Sequence, residues 1–185
     1  MLSLFATSFR RRLLPIVALS PLLVSAARAD PPSLMFEGTK YVLAAVQTGA
    51  EAVVTNLYVP EGSTVAAAAS LIRVRQWPKS GRVRNVVSDW LDPIVPRLAQ
   101  PMVTVKDSEP DGRADTILLE VWLSTGDPAV TEINLCKFLI ERGARGVKDY
   151  AYIERVPTGQ PAAYTARRSG HLRALSALRV KIATN

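Results

Sequence analysis

The chain of 185 residues has one cysteine, Cys136, and one histidine, His171. A lone thiol closes no intramolecular disulfide, and neither residue type is numerous enough for a Cys-cluster or multi-His metal centre. No Gly-rich phosphate loop, dinucleotide fingerprint or glycine-flanked serine elbow occurs. The apolar-rich run Leu13 to Val24 has twelve residues and contains Pro15 and Pro21. It is too short for a hydrocarbon core, which needs roughly 20 residues. Aromatic residues make up only 6% of the chain. Without a stacking platform and a focused basic surface, a nucleic-acid partner is not expected, and no cofactor is expected either.

What is present at the start of the chain is an export pattern. Arg10, Arg11 and Arg12 precede the apolar run, and Ala27-Arg28-Ala29 places small residues where a signal peptidase reads them. Residues 1–29 therefore read as a cleavable signal peptide, and residues 30–185 as one soluble domain in the periplasm. The paired arginines before Leu13 and Leu14 also resemble a twin-arginine signal, with the general route preferred. No cysteine follows the run to accept a lipid. The formal net charge of +7 falls to +3 for residues 30–185, because four basic residues lie in the leader. Residues 155–185 carry six basic residues and no acid.

Tyr41 to Gln47 and Glu51 to Val59 read as a hairpin closed by Thr48-Gly49-Ala50, with Pro60-Glu61-Gly62-Ser63 as the next turn. Thr64 to Ala69 is alanine-rich and reads as a short helix; Leu71 to Trp77 alternates as a strand. From Arg82 the apolar period becomes three and four through Val83, Val86, Val87, Trp90, Leu91, Ile94 and Leu98, and Pro93 and Pro96 should end this helix near Asp92. Met102–Val105, Thr116–Leu123, Thr131–Ile140 and Gly146–Val156 read as further strands. In the Thr131 strand, Ile133, Leu135 and Leu139 share one face and Cys136, Phe138 and Ile140 the other, so both faces need cover. The Arg82 helix and a C-terminal helix through Leu172, Leu175 and Leu178, capped by Ser169, are the candidates. The expected fold is α+β: a single antiparallel sheet of about six to seven strands packed with two main helices.

The segment Asn56-Leu57-Tyr58-Val59-Pro60-Glu61-Gly62, followed by the strand Leu71-Ile72-Arg73-Val74, resembles small exported bacterial proteins of unknown function with a Tyr-Val-Pro-x-Gly hairpin segment. The order of elements is also similar to the PsbP-like α/β sandwich, an antiparallel sheet between helices. The resemblance implies a binding or accessory role without catalysis, and it carries no catalytic motif onto this chain.

Candidate chemistry is sparse. Asp107, Glu109, Asp111 and Asp115, with Gly112, echo a calcium loop, but Leu118 stands where the bidentate acid belongs and Arg113 places a cation inside. Cys136 with His171 is the one thiol–base pair available. Cys136 reads as a core residue and His171 as a surface residue near a helix start. Asp89 and Asp92 read as the polar side of a helix. Trp77, Trp122, Tyr150 and Tyr152 are the expected lining of any ligand pocket. Arg167, Arg168, Arg173, Arg179 and Lys181 form the charged side of the C-terminal helix, a surface for an anionic lipid, polymer or acidic partner. The leading expectation is a non-enzymatic binding or accessory protein for a periplasmic protein or small ligand, with no acid and base converging in a cleft. The alternatives are a small cofactor-free hydrolase or isomerase using carboxylates, and an envelope-associated protein held by its basic C-terminal helix.

Overall fold

Residues that alternate between two apolar faces need partners above, below and on both flanks, and an antiparallel sheet between helices supplies them. The computed structural model describes residues 30–100, 103–108, 116–141 and 146–183. The leader 1–29 and the loop residues Glu109, Asp111 and Asp115 lie outside the described residues. The strands are β1 (Ser33–Phe36), β2 (Thr39–Thr48), β3 (Val54–Pro60), β4 (Ser70–Trp77), β5 (Val103–Ser108), β6 (Thr116–Ser124), β7 (Val130–Leu139) and β8 (Val147–Pro157). The helices are α1 (Val83–Leu91), between β4 and β5, and α2 (Ala162–Ala177), after β8.

The strands form one eight-stranded sheet in the order β1-β2-β3-β4-β8-β7-β6-β5. Every ladder is antiparallel. The fold is thus α+β with a single antiparallel sheet, two meanders joined at the central β4–β8 pair. The added strand is β1, a four-residue edge strand folded back on β2 through Glu37-Gly38, both with positive φ. It follows two prolines and is too short to carry a period of its own.

The helices cover opposite faces. Val83, Val86 and Val87 of α1 join Ile117, Leu119, Val121, Cys136 and Phe138 in one core cluster. Leu175 of α2 joins Ile72, Val74, Leu135, Tyr150 and Tyr152 in another. The two-sided β7 is covered by α1 on its Cys136 face and by α2 on its Leu135 face. Helix α1 stops at Leu91 because Pro93 has no amide hydrogen to continue the ladder to the Asp89 carbonyl after Asp92 has bonded Ser88.

Two expected elements differ. Thr64 to Ala69 is a run of turns rather than a helix. Arg155 Nη1 donates to the carbonyls of Val65, Ala66 and Ala68, which holds them away from a helical ladder. Helix α2 starts at Ala162, behind Pro161, and Ser169 lies inside it rather than capping it. Proline suits a helix start because the first amide groups have no intrahelical acceptor.

At the entry to β8 the chain passes close to the end of β4. Gly146 has φ +83, and a Cβ there would stand 2.2 Å from the Trp77 carbonyl oxygen and 2.7 Å from Pro78 Cα. Gly146→Ala is therefore expected to lower unfolding free energy by about 3 kcal/mol or more, from combined strain and overlap. Urea denaturation checks this; a midpoint equal to wild type would show that the β4–β8 junction is not as tight as described.

Candidate functional site

Three charged residues interrupt the apolar pattern on the α2-facing side of adjacent strands: Glu120 on β6, Lys137 on β7 and Glu154 on β8, all buried. Helix α2 meets them with Tyr164, Arg168, His171 and Leu175, spaced by four, three and four, which is one helical face. Arg168 Nε donates to Glu120 Oε2 at 2.5 Å, and Trp122 Nε1 donates to Glu120 Oε1 at 2.8 Å. Tyr164 Oη also reaches Glu120 Oε2, at 3.3 Å. Arg167 Nη2 donates to Glu154 Oε1 at 2.5 Å, and Tyr152 Oη donates to Glu154 Oε2 at 3.0 Å.

His171 occupies the middle of this layer. Its Nδ1 is hydrogen-bonded to Glu37 Oε2 from the β1–β2 turn. Its Nε2 faces Glu154 Oε2 at 3.5 Å, an ion pair without a formed hydrogen bond. Tyr152 and Tyr164 flank the ring at centroid distances of 4.5 and 5.7 Å. The side chain is only 3% exposed. Gly170, beside it, leaves room for Glu37: a Cβ there would lie 2.6 Å from Glu37 Oε1. Burial pulls the imidazole's pKa down, but Glu154 and Glu37 outweigh it and hold the pKa above the ordinary histidine value. Burial also pushes Glu154 up, and His171, Tyr152 and Arg167 more than reverse it. The same burial raises the Tyr152 and Tyr164 phenols.

Lys137 closes the far end of the layer. Its ammonium donates to the carbonyls of Leu175, Ser176 and Leu178 at 2.7, 3.0 and 3.0 Å. Three donors thus meet three acceptors at the negative end of α2. Burial, and then the nearby Arg179 charge, pull Lys137 down to about 7, against Glu141.

The opposite face of the sheet holds a second charged cluster. Asp149 is fully buried on β8, and its Oδ2 accepts from Arg73 at 3.1 Å and from Arg75 at 2.8 Å. Arg75 lies 4.7 Å from the Trp77 ring centroid, and both guanidinium groups lie 5.7 Å from that of Trp90. Cys136 belongs to this side, and burial pushes its thiol up to about 12.

Several expected placements are corrected by these positions. His171 is a buried residue in mid-helix, not a surface residue, because two carboxylates offset its desolvation. Cys136 and His171 stand on opposite faces of the sheet, so they form no dyad. Acid and base do converge, contrary to expectation, although around a buried imidazole under α2 rather than in a cleft. Of the aromatic residues, Trp77 packs against Phe138, while Tyr150 and Tyr152 are buried under α2. Trp122 alone lines an open groove, of about 240 Å³, with Thr131, Val156 and Pro157.

The basic segment does not form one charged surface: Arg167 and Arg168 turn back to Glu154 and Glu120, whereas Arg179 and Lys181 lie beyond the helix end. Arg173 is exposed, as are Asp89 and Asp92 on α1. Asp107 stands in β5, paired with Ile117, rather than in a loop. Among the described residues no group of three His, Cys, Asp or Glu side chains could hold a metal ion.

A larger groove, of about 690 Å³, opens beside the C-terminal tail, and a neighbour of about 440 Å³ shares Lys148 and Lys181 with it. Glu120, Glu154 and His171 line none of these three grooves. Comparison of the chain with protein-family profiles, with curated proteins and with solved structures finds no match in any of the three.

The buried titrating groups give opposite pH signatures. His171 has a folded pKa above its unfolded value of 6.5, so its contribution is complete below that pH and is lost as pH rises through the folded pKa. Lys137 falls from 10.5 to about 7, so its contribution grows as pH rises between those values. Urea unfolding from about pH 5.5 to about pH 9 should show the wild-type advantage over His171→Gln shrinking with pH and that over Lys137→Met growing. Parallel curves for both variants would contradict these assignments.

Proposed function

We propose that the protein is an exported, non-enzymatic binding or accessory domain of the periplasm. The observation that carries this reading is the separation of chemistry from access. His171 and Glu154 are buried between α2 and the sheet and paired with Arg167 and with Glu37, an exposed residue whose carboxylate is taken up by the imidazole. The two grooves beside the tail are lined mainly by apolar and basic residues, and their one acid, Glu141, is held by Lys148 and Tyr150. A general base has to reach the proton that it abstracts, within a hydrogen bond or through one water. The Arg10–Ala29 pattern supports export.

A second reading is favoured by one observation, the convergence of two carboxylates on one imidazole beside the Tyr152 hydroxyl. That arrangement would suit a small cofactor-free hydrolase or isomerase if the layer opened. Protein expressed with its own leader and purified from the envelope fraction separates the two. It is expected to show no sustained turnover of generic ester, glycoside or phosphate substrates. Turnover that Glu154→Gln or His171→Gln abolishes while the circular dichroism is unchanged would establish the enzymatic reading in its place.

A further inference from the structure

Beyond Ala177 the chain leaves α2 and runs extended over the α2-facing side of the sheet as far as Ala183. It is tied down at both ends. Lys137 holds the carbonyls where the helix stops. At the other end the buried Asn56 amide, in the orientation that satisfies both of its groups, donates to Ala183 O at 3.1 Å and accepts from Ala183 N at 2.7 Å. Val180 and Ile182 pack inward on the core between these ties. Period-two alternation then turns Arg179 and Lys181 outward, and both are exposed.

The groove of about 690 Å³ runs alongside this tail. Its apolar surface comes from Leu139, Ile140 and Val180, and its charges are Lys148, Arg179, Lys181 and Glu141. Glu141 already accepts Lys148 Nζ at 2.6 Å and Tyr150 Oη at 2.6 Å. Arg179 Nη1 donates to Ser176 O and Leu178 O, which pins the guanidinium at the rim; it forms no close ion pair among the described residues, and its charge acts on the Glu141 carboxylate at longer range. Lys181 likewise meets no carboxylate there. A volume of this size suits a small ligand, and an apolar floor under a rim where three cations outnumber one acid selects a molecule with both characters.

We propose that this groove binds an anionic amphiphile, with a phosphate-bearing head held by Arg179 and Lys181 and an apolar chain laid on Leu139, Ile140 and Val180. The assignment rests on the reading of the protein as a binding domain and names the ligand class for it. Charge-assisted hydrogen bonds from a pinned guanidinium and an exposed ammonium fix the head, while the chain removes apolar surface from water.

The test is an amide chemical-shift titration of the purified protein with dihexanoyl phosphatidylglycerol, kept monomeric. The comparators are dihexanoyl phosphatidylcholine, which has the same chains without net charge, and inorganic phosphate, which has charge without chains. The anionic lipid is expected to shift Leu139, Ile140 and Val180 and to bind about tenfold or more tightly than either comparator. The exposed-site double variant Arg179→Gln/Lys181→Gln is expected to weaken it by about tenfold or more with unchanged circular dichroism. Equal binding of the phosphatidylcholine or of phosphate, indifference to the double variant, or shifts confined to other regions would overturn the assignment. Sedimentation with phosphatidylglycerol vesicles at low salt identifies the source: co-sedimentation indicates a lipid presented by a bilayer, whereas monomer binding alone indicates a free amphiphile. Failure of every lipid arm with no substrate turned over removes the groove assignment and leaves the binding reading standing. Turnover lost with Glu154→Gln removes the reading itself.

Discussion

The clamping of α2 onto the sheet by charged side chains is the constraint on which the rest of the molecule depends. Strands β6, β7 and β8 are apolar on both faces and need a cover on each. Helix α1 provides one with three valines. Helix α2 is rich in alanine, arginine and serine, and of its residues only Tyr164, His171 and Leu175 are buried. Its apolar area is small, so ion pairs from β6 and β8 and the Lys137 hydrogen bonds from β7 do much of the holding. Pairs of this kind add little net stability over an apolar contact, but removing one partner strands a buried charge and is costly. Their positions also set the placement of the helix. Glu120 meets Arg168 near its middle, Glu154 meets Arg167 and His171, and Lys137 receives its last carbonyls.

That arrangement accounts for the division of labour across the molecule. Charges used to dock a helix are not available to a substrate, and the sheet itself keeps the thiol apart from the imidazole. The β1–β2 turn takes part as well, since Glu37 reaches into the space left by Gly170 and brings the edge strand under the same control. Where the clamp ends, at Lys137, the tail emerges with two cations turned outward and open space beside them. Structure-holding charge and solvent-facing charge are thus separated within one short basic segment of sequence.

Much of the sheet was legible because its physics is local. Leu71–Trp77 alternates as a strand, and the two-sided apolar pattern of Thr131–Ile140 called for the two helices that cover it. The stripe Val83–Val86–Val87 and the following prolines located α1 and its end. What escaped was set by distant partners. The turns at Thr64–Ala69 depend on Arg155, which lies far along the chain on the neighbouring strand β8. The burial of His171 depends on Glu37 and Glu154, and its arginine neighbours suggested a wet surface instead. A usable signal was nevertheless present: Glu120, Lys137 and Glu154 sit within otherwise apolar strands, and a segment with several cations follows. Acids at buried strand positions need partners, and only the C-terminal basic segment offered enough of them. The aromatic residues misled because Tyr150 and Tyr152 fill the core beneath α2 rather than lining an opening.

The central claim is that His171, in the middle of this titratable layer, is closed to solvent in the native state. Because the chain has a single histidine, acylation by diethyl pyrocarbonate reports on His171 alone when followed by imidazole absorbance. At mildly alkaline pH the native protein should react about a hundredfold or more slowly than the same chain in urea, with the rate limited by opening of the structure. A native rate equal to that of the unfolded chain would mean that reagents reach the imidazole directly, and the account of a buried, structure-holding imidazole would be wrong.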